Sequence, residues 1–266
     1  DGFWQINSAS ELTFGNNGFL LEGGANVSTG VDTHATASDA TITNTASVVK
    51  DGTSQSTVTY SSVALGTAAS DRTIIVGAAG NASVTVNSIT VAGVSATFVA
   101  SQGGDLSGIV ELWQAAVPSG TSGDIVVIFS GANIRNAIGV WAAYGAGSYL
   151  DTAGSTADPL TAGGLTIPAG GFGIGFSYNG NTSAATYVGL TEDFDKLIFD
   201  NQYVSGGSLA FSSFQDELTV TIDITGTPSQ PKGVFASWGP AGLNSFLKSG
   251  TITATNDSPT NDADNG

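Results

Sequence analysis

The chain has 266 residues, of which 41% are hydrophobic and only 11% are charged, whereas an average globular protein carries about 25% charged residues. The net charge is −16, from 22 acidic and six basic residues. Six scattered cations argue against a basic patch for nucleic acid and against binding to an anionic membrane surface. There is no cysteine, which excludes disulfides, thiolate metal sites and cysteine nucleophiles.

The first part of the chain, residues 1–56, is predicted to be an anchoring arm. Two short apolar runs flank the turn Gly15-Asn16-Asn17-Gly18, which favours a hairpin. From Gly23 onward the sequence is rich in Thr, Ser and Ala with thinly spaced Val and Ile, so it has too little apolar mass for a core of its own. We expect this stretch to lie along another chain. The residues predicted to bind the partner are Phe3, Trp4, Ile6, Phe14, Phe19 and Leu20.

The second part, residues 57–240, is dense with short runs of Val, Ile, Phe and Thr separated by Gly, Asn, Asp, Ser or Pro. No window keeps a helical period, and this spacing of strands and turns predicts an all-β fold, an antiparallel β-sandwich or jelly roll. The mid-strand residues predicted to form its core are Ile75, Val86, Trp113, Val127, Phe129, Trp141, Ile174, Phe176, Val220, Ile222 and Phe235. Of the four tryptophans, Trp238 is also predicted to pack in the core.

The third part, residues 241–266, begins with a small apolar patch and continues as a polar, acidic tail. Segments before and after Pro159 show an approximate similarity that is too weak to establish an internal repeat. The longest apolar stretches are too short to span a bilayer, and no signal peptide is visible. Because the chain contains no methionine, we expect an upstream segment to precede Asp1.

Sequence motifs for catalysis are weak. His34 is the single histidine and has no nearby carboxylate cluster, so we interpret it as a surface or interface residue. Ser177 lies in a sequence close to a nucleophile elbow, but the last glycine of that motif is missing and no histidine follows. The run Gly171–Gly175 resembles a nucleotide loop without a following helix to bind phosphate. We predict no catalytic residue, no cofactor and no enzyme activity.

Carboxylates offer two further alternatives. A glycosidase needs only two carboxylates, and Glu111 next to Trp113 has Glu192 and Glu217 as candidate partners. The second alternative is a calcium site at Asp193, Asp195, Asp200 and Asn201, the densest group of oxygen ligands in the chain. The spacing of these four residues matches no EF-hand loop, so we favour a solvated acidic loop and predict no metal.

The central strands carry a family resemblance. The segments TVTYSSVALGTAASDRTIIVGAAG, ELWQAAVPSGTSGDIVVIFSGANIRNAIGVWAAYG, ADPLTAGGLTIPAGGFGIGFSYNG and FASWGPAG resemble uncharacterised β-sandwich proteins from the virion structural genes of tailed phages and prophages of alphaproteobacteria. The resemblance covers about residues 57–242 and includes no catalytic signature. It implies a structural component on the virion surface, with the major capsid protein or another virion component as its partner.

The resemblance and the composition leave several functions open. We favour a non-enzymatic capsid decoration (cement) or head-spike protein, bound through its N-terminal arm and homo-oligomeric, with a trimer favoured. Oligomerisation would cover the exposed edges of so many strands. The alternatives are a tail fibre or receptor-binding protein that recognises a host surface glycan, and a bacterial surface adhesin domain.

Overall fold

The computed structural model describes residues 39–242, except for residues 82, 106–107, 181–183 and 200–201. All the regular elements in these residues are strands, and every paired strand is antiparallel, which confirms the predicted all-β class. The strands are β1 (Thr41–Ala64), β2 (Thr73–Gly80), β3 (Val86–Val91), β4 (Val94–Ser95), β5 (Thr97–Asp105), β6 (Gly108–Ala116), β7 (Ser122–Tyr144), β8 (Ala146–Ser155), β9 (Leu160–Ile167), β10 (Gly171–Asn179), β11 (Ala185–Val188), β12 (Thr191–Phe199), β13 (Gln202–Phe211), β14 (Gln215–Ile224) and β15 (Lys232–Pro240).

The first half of the described chain forms one seven-stranded sheet that folds over on itself. Its order is β4-β3-β7-β2-β6-β5, and β1 pairs along the other side of β7. The long strand β7 has two partners on its first side, since residues 125–129 pair with β3 and residues 136–143 pair with β2. Apolar residues of β2 and β3, including Val76 and Ile89, therefore meet in one buried cluster although they belong to the same sheet.

The second half forms a five-stranded sheet, β12-β13-β10-β15-β8, and a three-stranded sheet, β11-β14-β9. Alternate residues of β15 point to opposite sides of the five-stranded sheet, because successive side chains of a strand alternate between its faces. Phe235 belongs to the cluster shared with the three-stranded sheet, whereas Val234, Ala236 and Trp238 belong to a cluster shared with the first half. The molecule is thus two sandwiches stacked face to face, with three buried clusters in succession.

The two sandwiches have the same topology. We call residues 41–144 the first repeat and residues 146–240 the second repeat. Every strand pairing of the second repeat has a counterpart in the first. The first and second parts of β1 correspond to β8 and β9, and the first and second parts of β7 correspond to β14 and β15. The matching pairs are β10–β13 with β2–β6, β10–β15 with β2–β7, β12–β13 with β5–β6, β11–β14 with β3–β7, and β8–β15 and β9–β14 with β1–β7.

The pairing register supports the same correspondence. In the first repeat a bulge separates Phe98 from Ala100 on β5, and in the second repeat a bulge separates Glu192 from Phe194 at the matching place on β12. Bulges are specific local features of strand pairing. Their equivalent positions in β5 and β12 indicate that the described chain is an internal duplication.

The structure also locates the predicted core and boundaries. All eleven predicted core residues are buried, from 0% to 8% exposed, and so is Trp238, which confirms those predictions. The boundary expected between residues 56 and 57 falls inside β1, where residues 41–51 already pair with β7 of the same chain. The sandwich therefore includes residues 41–56, which we had assigned to the arm. They have too little apolar mass to fold alone, but β7 supplies their partner.

Candidate functional site

The chain enters and leaves the double sandwich at the same end, which we call the terminal end. The amide of Ala40 donates to the carbonyl of Gly170 over 2.7 Å, and the amide of Ala241 donates to the carbonyl of Gly145, also over 2.7 Å. These two hydrogen bonds lie close together. Gly171 follows Gly170, and a Cβ atom placed on Gly171 would lie 3.3 Å from the Cα atom of Gly239. Residues 1–38 and 243–266 are therefore attached at this one end of the described structure.

The opposite end is formed where β1 and β7 bend together, and we call it the bend end. Asp51 pairs with Arg135 and Gln55 pairs with Asn133, so that β1 has residues 52–54 where β7 has only Ile134. The extra residues on β1 open a groove at the bend. Ten residues of extended strand separate Ile134 from Tyr144 at the terminal end, a distance of roughly 30 Å at about 3.3 Å per residue.

The groove at the bend, hereafter the bend groove, is mostly polar. Its volume is 340 Å³, and its lining residues are Val49, Lys50, Asp51, Thr53, Gln55, Ile134 and Asn136. The guanidinium of Arg135 lies 3.8 Å from the carboxylate of Asp51 and 4.6 Å from the centre of the Phe199 ring. The Lys50 ammonium lies 5.7 Å from the ring centre of Tyr60. The arrangement offers amide, hydroxyl and charged groups beside an aromatic ring.

The candidate glycosidase carboxylates are not assembled into one site. Glu111 is only 3% exposed, and its two oxygens accept hydrogen bonds from the Val86 amide at 3.0 Å and from Trp113 Nε1 at 2.7 Å. Burial raises the pKa of Glu111, and the two hydrogen bonds oppose that effect. Glu192 and Glu217 belong to the second repeat and are exposed. Glu111 thus serves as a buried hydrogen-bond acceptor for the backbone amide of Val86 and for the indole of Trp113.

Two of the four residues considered for a calcium site lie on a strand rather than in a loop. Asp193 and Asp195 belong to β12, while Asp200 and Asn201 are outside the described residues. Asp193 accepts bonds from Trp141 Nε1 and Ser208 Oγ, both at 2.7 Å, at the contact with the first repeat. Asp195 instead accepts the Ala185 amide at 2.9 Å. Across the part of the chain that the structure describes, no three His, Cys, Asp or Glu side chains come together as metal ligands.

Burial explains the electrostatics of these two aspartates. It raises the pKa of Asp193, against the effect of the bonds from Trp141 and Ser208. It also raises the pKa of Asp195 to about 6, with a smaller contribution from the nearby Glu192 charge, while the Ala185 amide has the opposite effect. Both carboxylates accept hydrogen bonds from other groups of the protein, so the shifts of their pKa values follow from their structural roles.

Ser177 takes part in a closed hydroxyl network. It is completely buried on β10, its Oγ lies 2.7 Å from Ser205 Oγ, and Ser205 Oγ lies 2.9 Å from the Tyr187 hydroxyl. Burial raises the pKa of Tyr187 far above its ordinary value. These groups satisfy one another inside the second repeat, where Ser177 lies on strand β10.

The predicted anchor lies outside the described residues. This concerns Phe3, Trp4, Ile6, Phe14, Phe19 and Leu20, and also the single histidine, His34. The bend groove was not found from the sequence. Its one local signal is Lys50-Asp51-Gly52-Thr53-Ser54-Gln55, a charged and polar interruption between two strand-like segments.

Comparison of the chain with protein-family models, with curated protein sequences and with solved structures found no match in any of the three. Within the described residues there is also no helix long and apolar enough to cross a membrane.

Proposed function

We propose that this chain is a non-enzymatic structural protein on the virion surface of a tailed bacteriophage, a capsid decoration or head-spike protein attached through its N-terminal segment. The observation that supports this function is the position of the chain ends. Asp39 and Gly242 bound the described core at its terminal end, and the bend end lies roughly 30 Å away along β7. Attachment through residues 1–38 orients the double sandwich outward from a shell.

The chemistry of the core also suits this role. The carboxylates of Glu111, Asp193 and Asp195 each accept hydrogen bonds from protein groups, so they act as structural acceptors rather than as a reacting pair. The low charge and the closely packed clusters suit a rigid module that projects from a surface. The partner under this proposal is the major capsid protein or another virion component, and the protein is homo-oligomeric.

Deletion of residues 1–22 tests the attachment. The truncated and complete chains are added to particles that lack the protein, and bound protein is counted per particle after sedimentation. We expect the complete chain to bind and the truncated chain to remain in the supernatant while keeping its β circular dichroism spectrum. Full occupancy by the truncated chain would overturn the proposed anchor.

Copy number distinguishes the proposed role from the alternative of a tail fibre or receptor-binding protein. A decoration protein is among the most abundant proteins of a particle, whereas a fibre is present in few copies. Quantitative gel analysis of purified particles, with the major capsid protein as internal reference, measures this ratio. A decoration protein repeats with the symmetry of the shell, so its ratio to the major capsid protein should be on the order of one. A ratio about tenfold lower or less favours the fibre.

A further inference from the structure

Strand β1 has a long free edge. Among the residues that the structure describes, β1 pairs with β7 alone, and no strand pairs with its other side. At 24 residues it is the longest strand that forms a sheet edge, since β4, β5, β8, β9, β11 and β12 have ten residues or fewer. Main-chain amide and carbonyl groups alternate between the two sides of an antiparallel strand, so about half of those of β1 point away from β7.

The first part of this edge lacks most of the features that protect exposed strands from association. Charged side chains, prolines and bulges are the usual protection. The edge strand β12 of the five-stranded sheet has four charged residues, and its pairing with β13 has two irregularities. Residues 41–49 of β1 include no charged residue and no proline, and their pairing with β7 has a single irregularity, between Asn44 and Ala46. This stretch of β1 is therefore suited to pairing with a further strand.

The residues immediately before β1 are held by the second repeat. Ala40 is 2% exposed, and its amide donates to the carbonyl of Gly170, whose own amide donates to the carbonyl of Phe211 over 2.8 Å. A Cβ atom on Gly170 would lie 3.3 Å from the Cα atom of Asp39. A hairpin within one chain would need the residues before Thr41 to turn back along the free edge of β1. The position of Asp39 and Ala40 beside the start of β10 instead favours pairing of β1 with another molecule.

Residues 23–38 have the composition and the length of a strand that could cover this edge. They include five Thr or Ser residues and two valines, and Asp32 is their one charged residue. Thr and Val are favoured in strands. At about 3.3 Å per residue, this segment spans roughly 53 Å when extended, whereas Thr41 to Val49 spans roughly 30 Å. The segment is therefore long enough to pair with the whole of this part of β1.

We propose that residues 23–38 of one molecule add as a strand to the free edge of β1, along residues 41–49, in a second copy of the chain. Strand addition gains affinity from main-chain hydrogen bonds, and it covers an edge that would otherwise promote association. The inference rests on the proposed function only in that the protein is homo-oligomeric. It divides the N-terminal segment between two roles, because residues 1–22 bind the virion and residues 23–38 bind a sister subunit.

Cysteine crosslinking of the complete chain tests this pairing, since the chain contains no cysteine of its own. Two differently tagged chains are co-expressed, and the purified protein is oxidised. One chain carries Thr43→Cys or Ser47→Cys on β1, and the other carries a single cysteine at each of the positions 25–37 in turn. A disulfide forms only where the two Cβ atoms lie about 3.5–4.5 Å apart. The matched control for the β1 variants is Thr219→Cys, an exposed residue on β14, the middle strand of its sheet.

We expect a disulfide-linked heterodimer, at twice the mass of the chain on a non-reducing gel, for one segment position with Thr43→Cys. A position four residues away is expected to crosslink to Ser47→Cys, because paired strands keep a constant register. Thr219→Cys is expected to give no heterodimer with either position. A heterodimer that fails to form at every position overturns the proposal.

Two other results would also overturn it. A dimer that the Thr43→Cys chain forms with itself would show that two β1 strands pair with each other. A disulfide that forms within a doubly substituted chain, but not between two chains, would show a hairpin. The attachment test removes residues 1–22 and leaves residues 23–38 in place, so the two tests are independent. Missing heterodimers in protein that attaches normally overturn this pairing alone, and heterodimers in protein that does not attach overturn only the proposed anchor.

Discussion

The ring of Phe176 lies directly against the backbone of Gly77, and a Cβ atom added to Gly77 would be 2.7 Å from the Cγ atom of that ring. The two residues occupy equivalent positions in the two repeats. Gly77 lies between Leu112 and Gly139, and Phe176 lies between Gly206 and Val234 in the corresponding strands. The repeats therefore pack closely at this point because the second has a phenylalanine at the position where the first has a glycine, which lacks a side chain.

Replacement of Gly77 by alanine is expected to destabilise the protein by about 1–3 kcal/mol, the range for overpacking of a close-packed interior. Three atoms of the Phe176 ring lie within 2.9 Å of the added carbon, and because the ring is fully buried it can shift only if its neighbours repack. Gly163→Ala is the matched control, since nothing lies within 4 Å of its Cβ position. Urea unfolding measures both variants, and equal midpoints would contradict the packing argument.

Trp141→Ala is expected to cost roughly 3–5 kcal/mol of unfolding free energy, as for other large buried aromatic residues. Trp141 is fully buried and donates to Asp193 across the contact between the repeats. Trp141→Phe keeps most of the ring volume but not the donor, and we expect a smaller loss. Denaturant titrations measure both, with Tyr149→Ala, at 40% exposed, as the surface control. A loss below about 1 kcal/mol for Trp141→Ala, within the range of ordinary surface substitutions, would place this tryptophan outside the core.

Arg72→Lys is expected to destabilise the first repeat by about 3 kcal/mol or more, because buried carbonyl groups lose their donors. Arg72 is 1% exposed and donates to five backbone carbonyls, at distances from 2.7 to 3.1 Å. These carbonyls lie in the connection before β2 and in the connection after β6, and they are those of Leu65, Gly66, Val117, Ser119 and Gly120. A lysine has three donors against five.

The control for Arg72 is Lys196→Ala, an exposed cation on β12, for which a change within about 0.5 kcal/mol is expected. Thermal and urea unfolding at constant pH provide the comparison. Wild-type stability of Arg72→Lys would show that these carbonyls do not depend on the guanidinium.

Asp195→Asn is expected to change how stability depends on pH. Burial raises the folded-state pKa of Asp195 to about 6 from an ordinary value of 3.8. The folded state therefore holds the proton more tightly than the unfolded state, and this residue contributes stability at low pH that is lost as pH rises from about 4 to about 6. Asparagine keeps an oxygen that accepts the Ala185 amide, but it does not ionise.

Unfolding free energies of the wild type and of Asp195→Asn, measured at pH 4, 5, 6 and 7, check this expectation. The variant should gain stability relative to the wild type as pH rises through this window. Glu111 and Asp193, whose pKa values are also raised, are present in both proteins and cancel in the difference. A difference that stays constant from pH 4 to pH 7 would rule out titration of Asp195 in this range.

A fragment of residues 39–242 is expected to fold, and a fragment of residues 57–242 is expected to be less stable or to aggregate. The shorter fragment lacks the part of β1 from Thr41 to Asp51, which pairs with β7 from Tyr144 to Arg135. Its loss leaves β7 with a long unpaired edge, a known route to association between chains. Circular dichroism, size-exclusion chromatography and urea unfolding compare the two fragments. Equal stability would mean that the first part of β1 is dispensable.

The sequence alone determined the strands and the side chains that they bury. Val220, Ile222 and Ile224 alternate with Thr221 and Asp223, and the three apolar residues are at most 1% exposed in the structure. Such alternation is a local property, since successive side chains of a strand point to opposite faces. The predicted core could therefore be read without knowing which strands pair.

The duplication was decided only by the tertiary structure. The sequences GVWAAYG (139–145) and GVFASWG (233–239) align Val140 with Val234. The pairing registers instead make Gly139 equivalent to Val234, because these residues lie opposite Gly77 and Phe176. A difference of one residue moves a side chain to the other face of its strand. This alignment of the two sequences is thus out of step with the structural equivalence.

The bend groove likewise depends on tertiary structure. Asp51 and Arg135 are adjacent in space only because β1 and β7 pair over their whole length and bend together. Nothing in the residues around Lys50 indicates that their partners lie on β7, because strand pairing is a contact between distant parts of the chain. Local periodicity determines which residues form strands, and long-range pairing determines which polar groups meet at the end of the fold.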